Sequence, residues 1–260
     1  MSTIVVLVKN VPDTWSKRTL EADFTLDREG VDEVLDEINE FALEQALRLR
    51  EANPGHKVVA LSAGPDAADE ALRKALSMGA DEAILRNDEA LTGSDLLGTA
   101  WALNNAINTI PDVSLIVAGA ASSDGSMGAL PGVLAEYRQV PALTGLSTVA
   151  IAGAEVTGTR ADHTGTYELK AALPAVVSVS DKADKPRFPN FKGIMAAKKA
   201  TIGRLNLAQI GVAPEQVGIA HAATAVTAAA ERPARTQGEI IGASDAAAKI
   251  ADYLAAENLI

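Results

Sequence analysis

Thr3-Ile4-Val5-Val6-Leu7-Val8 is a continuous apolar run dominated by β-branched residues. A strand with one face in water alternates polar and apolar residues, whereas an unbroken run fits a strand covered on both faces, as in a parallel sheet between helix layers. Lys57–Ser62 (KVVALS) and Ser114–Ala118 (SLIVA) repeat the pattern, and Glu82–Leu85 is a shorter version of it. Helical patterns fall between these runs. Glu40–Glu51 carries Phe41, Ala42, Ala46, Leu47 and Leu49 at helical spacing, with charge on the opposite side. Further helices are expected over Pro65–Ser77, over Leu96–Asn108 behind the cap Asp95, and from Gly125–Gly128 through Tyr137. Strands joined by single helices imply right-handed crossovers and a doubly wound, mostly parallel, Rossmann-like α/β sheet.

The rhythm changes after Pro141. Leu146–Ile151, Glu155–Arg160, Thr164–Leu169 and Ala175–Ser180 read as strands separated by turns, which predicts antiparallel strands added to the parallel sheet. Residues 220–240 lack a clean period and carry a proline, so they read as an extended arm. An amphipathic helix, Ser244–Ala256, follows, with Ser244 or Asp245 as its N-cap. The expected division is a nucleotide-binding α/β domain over 1–220 and a C-terminal arm and helix over 221–260. Such a tail either clasps another subunit or folds onto its own domain.

The chain has 260 residues, a net charge of −11, three histidines and no cysteine. The cysteine count excludes disulfides, thiolate metal sites and cysteine nucleophiles. His56, His163 and His221 show no ligand spacing, so no metal site is expected. The acidic balance argues against nucleic-acid binding, which needs basic surface to neutralise phosphates. No apolar run reaches the length that spans a bilayer, and the N-terminus shows no signal pattern, so the expected setting is cytoplasmic, with no membrane insertion. Gly-x-Ser-x-Gly elbows, His-Glu-x-x-His helices and Cys–His pairs are absent, which points to a binding protein rather than an enzyme with catalytic side chains.

Two stretches stand out as candidate sites. The first is Gly119-Ala120-Ala121-Ser122-Ser123-Asp124-Gly125-Ser126-Met127-Gly128, which leaves a buried strand and runs toward a helix start. Ligands of open parallel sheets sit beyond the carboxyl ends of the strands, and small residues with free backbone amides make a credible phosphate cradle there. The same residues also suit tight packing alone. The second is Asp184-Lys185-Pro186-Arg187-Phe188-Pro189-Asn190-Phe191-Lys192-Gly193-Ile194-Met195-Ala196-Ala197-Lys198-Lys199, which holds two of the four phenylalanines. Its prolines read as an irregular loop. Apolar groups rimmed by lysine form either a docking surface for an acidic partner or a loop folding its rings back onto its own domain.

Along essentially its whole length the chain resembles the beta subunits of electron transfer flavoproteins. The resemblance rests on Val8-Lys9 and Pro12-Asp13, on Ile38-Asn39-Glu40-Phe41-Ala42-Leu43-Glu44-Gln45-Ala46, on Ala60–Pro65, and on Ala71-Leu72-Arg73-Lys74-Ala75-Leu76-Ser77-Met78-Gly79-Ala80-Asp81. Leu173–Val177, Pro186-Arg187-Phe188 and Ile194–Lys199 complete it. It implies an adenine nucleotide alpha hydrolase-like fold and a heterodimer with an alpha subunit. FAD would be held mainly by alpha at the interface, and AMP by this chain. By match, the cofactor-binding residues are Leu7, Asn39, Glu40, Phe41, Ala42, Ala63, Gly119, Ala120, Ala121, Ser122, Ser123, Asp124, Gly125, Ser126 and Met127, with Phe41 and Trp15 also near the flavin. The 181–199 loop is similar to the family's recognition loop, with Phe188, Phe191, Ile194 and Met195 meeting the partner and Phe191 at the anchor position. The implied role is an electron carrier in fatty-acid oxidation, from acyl-CoA and related flavin dehydrogenases to a quinone oxidoreductase. The phosphate loop lacks both the Asn-Gln-Thr of mitochondrial members and the Asp-Gly-Asp-Thr-Ala-Gln of bifurcating ones, which favours AMP over a second FAD. The rival reading is a stand-alone adenine-nucleotide-binding protein of universal-stress type.

Overall fold

The computed structural model describes residues 2–234 and 237–260, so positions 235 and 236 of the expected arm lie outside it. In chain order the elements are β1 (Ser2–Leu7), β2 (Asn10–Pro12), β3 (Glu33–Leu35), α1 (Glu37–Ala52), β4 (His56–Ala63), α2 (Asp69–Met78), β5 (Glu82–Arg86), α3 (Leu96–Asn108), β6 (Val113–Gly119), α4 (Leu130–Arg138), β7 (Ala142–Leu146), β8 (Thr148–Ala152), β9 (Glu155–Asp162), β10 (Gly165–Ala172), β11 (Ala175–Val179), α5 (Phe191–Lys199), β12 (Gly203–Leu205) and α6 (Ala246–Ala256). Residues 1–226 form one compact unit and 227–260 a second.

Seven strands make the central sheet in the order β12-β5-β4-β1-β6-β11-β7, and every pairing in it is parallel. The unbroken apolar run of β1 has the predicted cause. Ile4 and Val6 enter a core with Ala42, Leu43, Ala46 and Leu47 of α1 and Ala71, Leu72 and Ala75 of α2. Val5 and Leu7 point the other way, into a core with Ala100, Leu103, Ala106 and Ile107 of α3 and Leu134 of α4. Full burial of each such side chain stabilises the fold by about 1.5–3 kcal/mol, so both faces of the strand demand apolar residues.

Three expectations are corrected. Leu146–Ile151 is not one strand: β7 ends at Leu146 inside the parallel sheet, and β8 begins at Thr148 in a separate antiparallel sheet of order β10-β9-β8. Ser147, between them, bonds Thr159 O through both its amide (2.7 Å) and its hydroxyl (3.1 Å). Gly145, at φ 70°, lies two residues before that turn, where the register of β7 against β11 shifts. Ala175–Ser180 belongs not with the antiparallel strands but in the parallel sheet, where all five residues of β11 are buried. Finally, 191–199 is helical. Asn190 caps α5, its side-chain oxygen accepting from Gly193 N at 2.8 Å. Pro186 and Pro189 both precede that cap, where proline obstructs nothing; it breaks only helix interiors.

The short pair β2–β3 is antiparallel, and β12 extends the sheet beside β5. Within the second unit, α6 has no buried residue and starts behind Asp245.

Candidate functional site

The chain runs from β1 outward through β4 and β5 and returns to β6 on the other side of β1, so strand order reverses between β1 and β6. A cleft of about 370 Å³ opens there, beyond the carboxyl ends of the strands. Leu7 from β1, Ala63 from β4 and Asn39 from α1 line it. The last residue of β6, Gly119, and the loop after it, with Ala120, Ala121, Ser122, Gly125 and Met127, add to the lining. At Gly119 a Cβ would stand 2.7 Å from Ile38 Cγ2 and 2.9 Å from Asn39 Nδ2. Glycine is what lets the first turn of α1 close down on the end of β6. Asn39 Oδ1 in turn accepts from Lys9 N at 2.8 Å, fixing the chain where it leaves β1.

The remaining matched positions lie elsewhere. Glu40, Phe41 and Ser123 line a broader groove of about 820 Å³ with Pro12, Val34, Pro186 and Phe188. Ala42 is fully buried in the core. Ser126 is exposed in the left-handed region at φ 49°. Asp124 is buried, but its side chain points to charged partners and not into the cleft.

The expectation of a freely donating cradle holds only in part. Ser123 N is taken by Asp36 Oδ2 at 2.8 Å, Gly125 N by Ser122 Oγ at 3.3 Å and Ser126 N by Ser122 O at 2.8 Å. Among the described residues of the loop, the amides of Ala121, Ser122, Asp124, Met127 and Gly128 donate to no protein acceptor. Those five are the loop's unpartnered donors.

Behind the loop lies a charged cluster that sequence reading did not assemble. Asp124 Oδ1 accepts from Lys9 Nζ at 2.7 Å and Oδ2 from Arg28 Nη2 at 2.6 Å. Arg28 also reaches Glu33 Oε1 at 2.8 Å, and Glu33 Oε2 accepts from Asn10 Nδ2 at 2.7 Å. Lys9 was legible as a strand-end residue; Arg28 and Asp36 carried no local signal. Burial pushes the Asp124 carboxyl up, but the Lys9 charge, with hydrogen bonds from Lys9, Ser122 and Arg28, brings it down to about 2. Burial pushes Asp36 up as well, and there the Ser123 amide does not offset it.

These opposite directions predict opposite mutants. Asp124 stabilises the fold above its unfolded value of about 3.9, and that contribution is lost as pH falls toward 2. Asp124→Asn should therefore cost about 1–3 kcal/mol at pH 7. Asp36→Asn keeps an acceptor for Ser123 N and removes a penalised charge, so it should be neutral or stabilising. Urea unfolding at pH 7 and pH 4 compares the two, and a destabilised Asp36→Asn beside an unaffected Asp124→Asn would reverse the assignment.

The second sequence-selected region is held firmly while its rings stay in water. Gly193 of α5 presses on α2, where a Cβ would stand 2.4 Å from Ser77 O. Arg73 of α2 donates to Ala197 O at 2.9 Å. Phe188 is 94% exposed and Phe191 79%, with Ile194 and Met195 exposed beside them. The rings do not fold back onto their own domain. Arg187 bonds Glu44 and Glu51 of α1; burial pushes Glu44 up, but hydrogen bonds from Arg187 and Arg48 hold it below its ordinary value. Trp15 is likewise 95% exposed.

Among the described residues no group of three His, Cys, Asp or Glu is placed to hold a metal ion, and no helix is long and apolar enough to cross a membrane.

Residues 23–210 match the family model for the electron transfer flavoprotein domain. The chain is 50% identical, over the full length of both proteins, to the electron transfer flavoprotein subunit beta of Mycobacterium leprae. It is 32% identical to the subunit of that name from Megasphaera elsdenii, over 93% of this chain and 92% of the relative. It is also 32% identical to the caffeyl-CoA reductase-Etf complex subunit CarD of Acetobacterium woodii, over 92% and 91%. Similarity along the whole chain, on a parallel sheet with a cleft at its switch point, decides the matter: the chain belongs to the electron transfer flavoprotein family, as one of its beta subunits.

Proposed function

We propose that this electron-carrier subunit pairs with an alpha subunit, buries one AMP in the switch-point cleft, and helps hold FAD in the groove beside Phe41. In this reading it takes electrons from acyl-CoA-type flavin dehydrogenases in fatty-acid oxidation, passes them toward a quinone oxidoreductase, and works in the cytoplasm. The observation that carries it is the anchored helix α5, which displays Phe191, Ile194 and Met195 to solvent instead of burying them. The name of the Acetobacterium woodii relative, which links it to a caffeyl-CoA reductase, supports enzymes of CoA esters as partners.

The residues fit the two nucleotides differently. The cleft, at about 370 Å³, is near the small end of the roughly 300–1,000 Å³ of ligand pockets, and it offers apolar walls at Leu7, Leu61 and Leu103 with the unpartnered amides at one end. A mononucleotide suits it. The groove has an apolar floor of Val11, Pro12, Val34 and Phe41, and the buried Ser123 hydroxyl facing it has no partner. Its rim carries Glu33, Asp36, Glu37, Glu40 and Glu70 against Lys74, Lys185 and Arg187, and this acidic excess disfavours a pyrophosphate. In this reading the groove takes the flavin ring, and the other subunit holds the pyrophosphate of FAD.

When bound, FAD supplies the redox chemistry. The chain's own residues orient and shield: Phe41 gives the ring an apolar wall, and the Ser122–Asp124 wall, tied to Lys9 and Arg28, separates cleft from groove. The 227–260 unit, with no buried residue in α6, would pack on the alpha subunit.

The test is to co-express the chain with its alpha subunit, denature the heterodimer and quantify the released nucleotides by chromatography. One FAD and one AMP per heterodimer is expected. Two FAD and no AMP would overturn the AMP assignment.

A further inference from the structure

Phe188 is 94% exposed, yet it lines the groove. What fixes it is the residue before it. Arg187 donates from its backbone N to Glu44 Oε2 at 3.1 Å, from Nε to Glu44 Oε2 at 2.7 Å and from Nη2 to Glu44 Oε1 at 3.1 Å. The same guanidinium reaches Glu51 Oε1 from Nη1 at 2.5 Å and Glu51 Oε2 from Nη2 at 3.2 Å. Glu44, Arg48 and Glu51 share one face of α1 by their spacing. Arg48 bonds Glu44 Oε1 at 2.8 Å and Asp184 Oδ2 at 3.2 Å, so α1 grips the segment at Asp184 as well as at Arg187.

We propose that Arg187 is a positioning residue for docking: clamped between Glu44 and Glu51, it presents Phe188 and the start of α5 to the partner dehydrogenase in one fixed geometry. The inference rests on the docking reading above. The Glu44 side chain is 3% exposed, and a carboxylate so buried is costly without its cations, so the clamp is held shut by the burial of Glu44 itself. The planar fork meets each carboxylate with fixed, directed bonds while the Arg187 backbone amide also reaches Glu44; a lysine ammonium offers a point charge without that geometry. A surface fixed beforehand does not spend binding energy on ordering itself, which suits a contact that must be fast and brief.

The experiment uses the purified heterodimer with an acyl-CoA dehydrogenase as the probe, comparing wild type with Arg187→Lys, Glu51→Ala and Phe191→Ala. Glu51 is half-exposed, so its variant tests the outer arm of the clamp without threatening the fold. Two readouts are taken: steady-state KM and kcat for the flavoprotein as electron acceptor, and amide hydrogen exchange over residues 185–190. Arg187→Lys should speed exchange over that stretch and raise KM about tenfold at unchanged kcat and flavin content, with Glu51→Ala intermediate. Unchanged exchange, or a fall in kcat and flavin content together with the rise in KM, overturns the positioning role. If Phe191→Ala raises KM while Arg187→Lys does not, the clamp alone fails. If Phe191→Ala leaves KM unchanged, the docking reading fails and the clamp's role with it.

Discussion

Phe191→Ala is expected to raise the KM for the heterodimer as acceptor about 30-fold while leaving FAD, AMP and thermal stability unchanged, because truncating a central aromatic anchor costs about 2 kcal/mol or more. The ring is 79% exposed at the first position of α5, so the free protein loses almost no packing when it goes. Ile194 and Met195, one turn on, widen the same apolar face, and Lys192, Lys198 and Lys199 surround it with positive charge on a chain that is otherwise acidic. Exposed apolar area of that kind is disfavoured in water unless something covers it part of the time. Phe188→Ala should behave similarly but less strongly, since that ring stands on the groove side and not on the helix. Stopped-flow reduction by an acyl-CoA dehydrogenase gives the result directly, and an unaltered concentration dependence in Phe191→Ala would remove α5 from the docking surface.

What the sequence made legible follows the range of each signal. The unbroken run at β1 encodes burial on two faces because every residue in it must be apolar, and that requirement is local. The Asp95 cap was legible for the same reason: its carboxylate accepts from Gly98 N at 2.9 Å, three residues on. The α5 cap at Asn190 was equally local but was masked by Pro186 and Pro189, whose effect depends on which side of the cap they fall. The break at Ser147 had only Gly145 as a local signal, because the partner that turns the chain is Thr159. The cleft divides in the same way. The small residues at 119–128 announced a close approach of backbone, whereas the Lys9–Asp124–Arg28 cluster joins residues 115 and 96 positions apart and exists only once the sheet has closed. Exposure of the apolar face at 188–195 was one of two readings the sequence allowed, and its rigidity left no local signal, since Arg187 finds its carboxylates 143 and 136 positions away.

Gly193→Ala provides a sharper test, because two effects of opposite sign compete at that position. In a helix with free space, alanine in place of glycine stabilises by about 1 kcal/mol. At Gly193 the added Cβ would stand 2.4 Å from the carbonyl oxygen of Ser77, about 1 Å inside van der Waals contact. That oxygen is backbone, on a helix whose Ala75, Leu76 and Met78 are buried in the core, so α2 cannot yield. The lighter element moves. Displacing α5 loosens the bond from Arg73 to Ala197 and draws the buried Ala197 from its seat, at an overpacking cost of about 1–3 kcal/mol that exceeds the propensity gain. The expected variant keeps its FAD and AMP, since α5 lines neither cleft nor groove. It loses coupling to the dehydrogenase at least as severely as Phe191→Ala, although every docking side chain is still present. Amide exchange over 191–199 should accelerate while β1 and β4 stay protected. A more stable variant with normal coupling would show that α5 tolerates displacement, and that the apolar side chains, not their fixed placement, are all the partner requires.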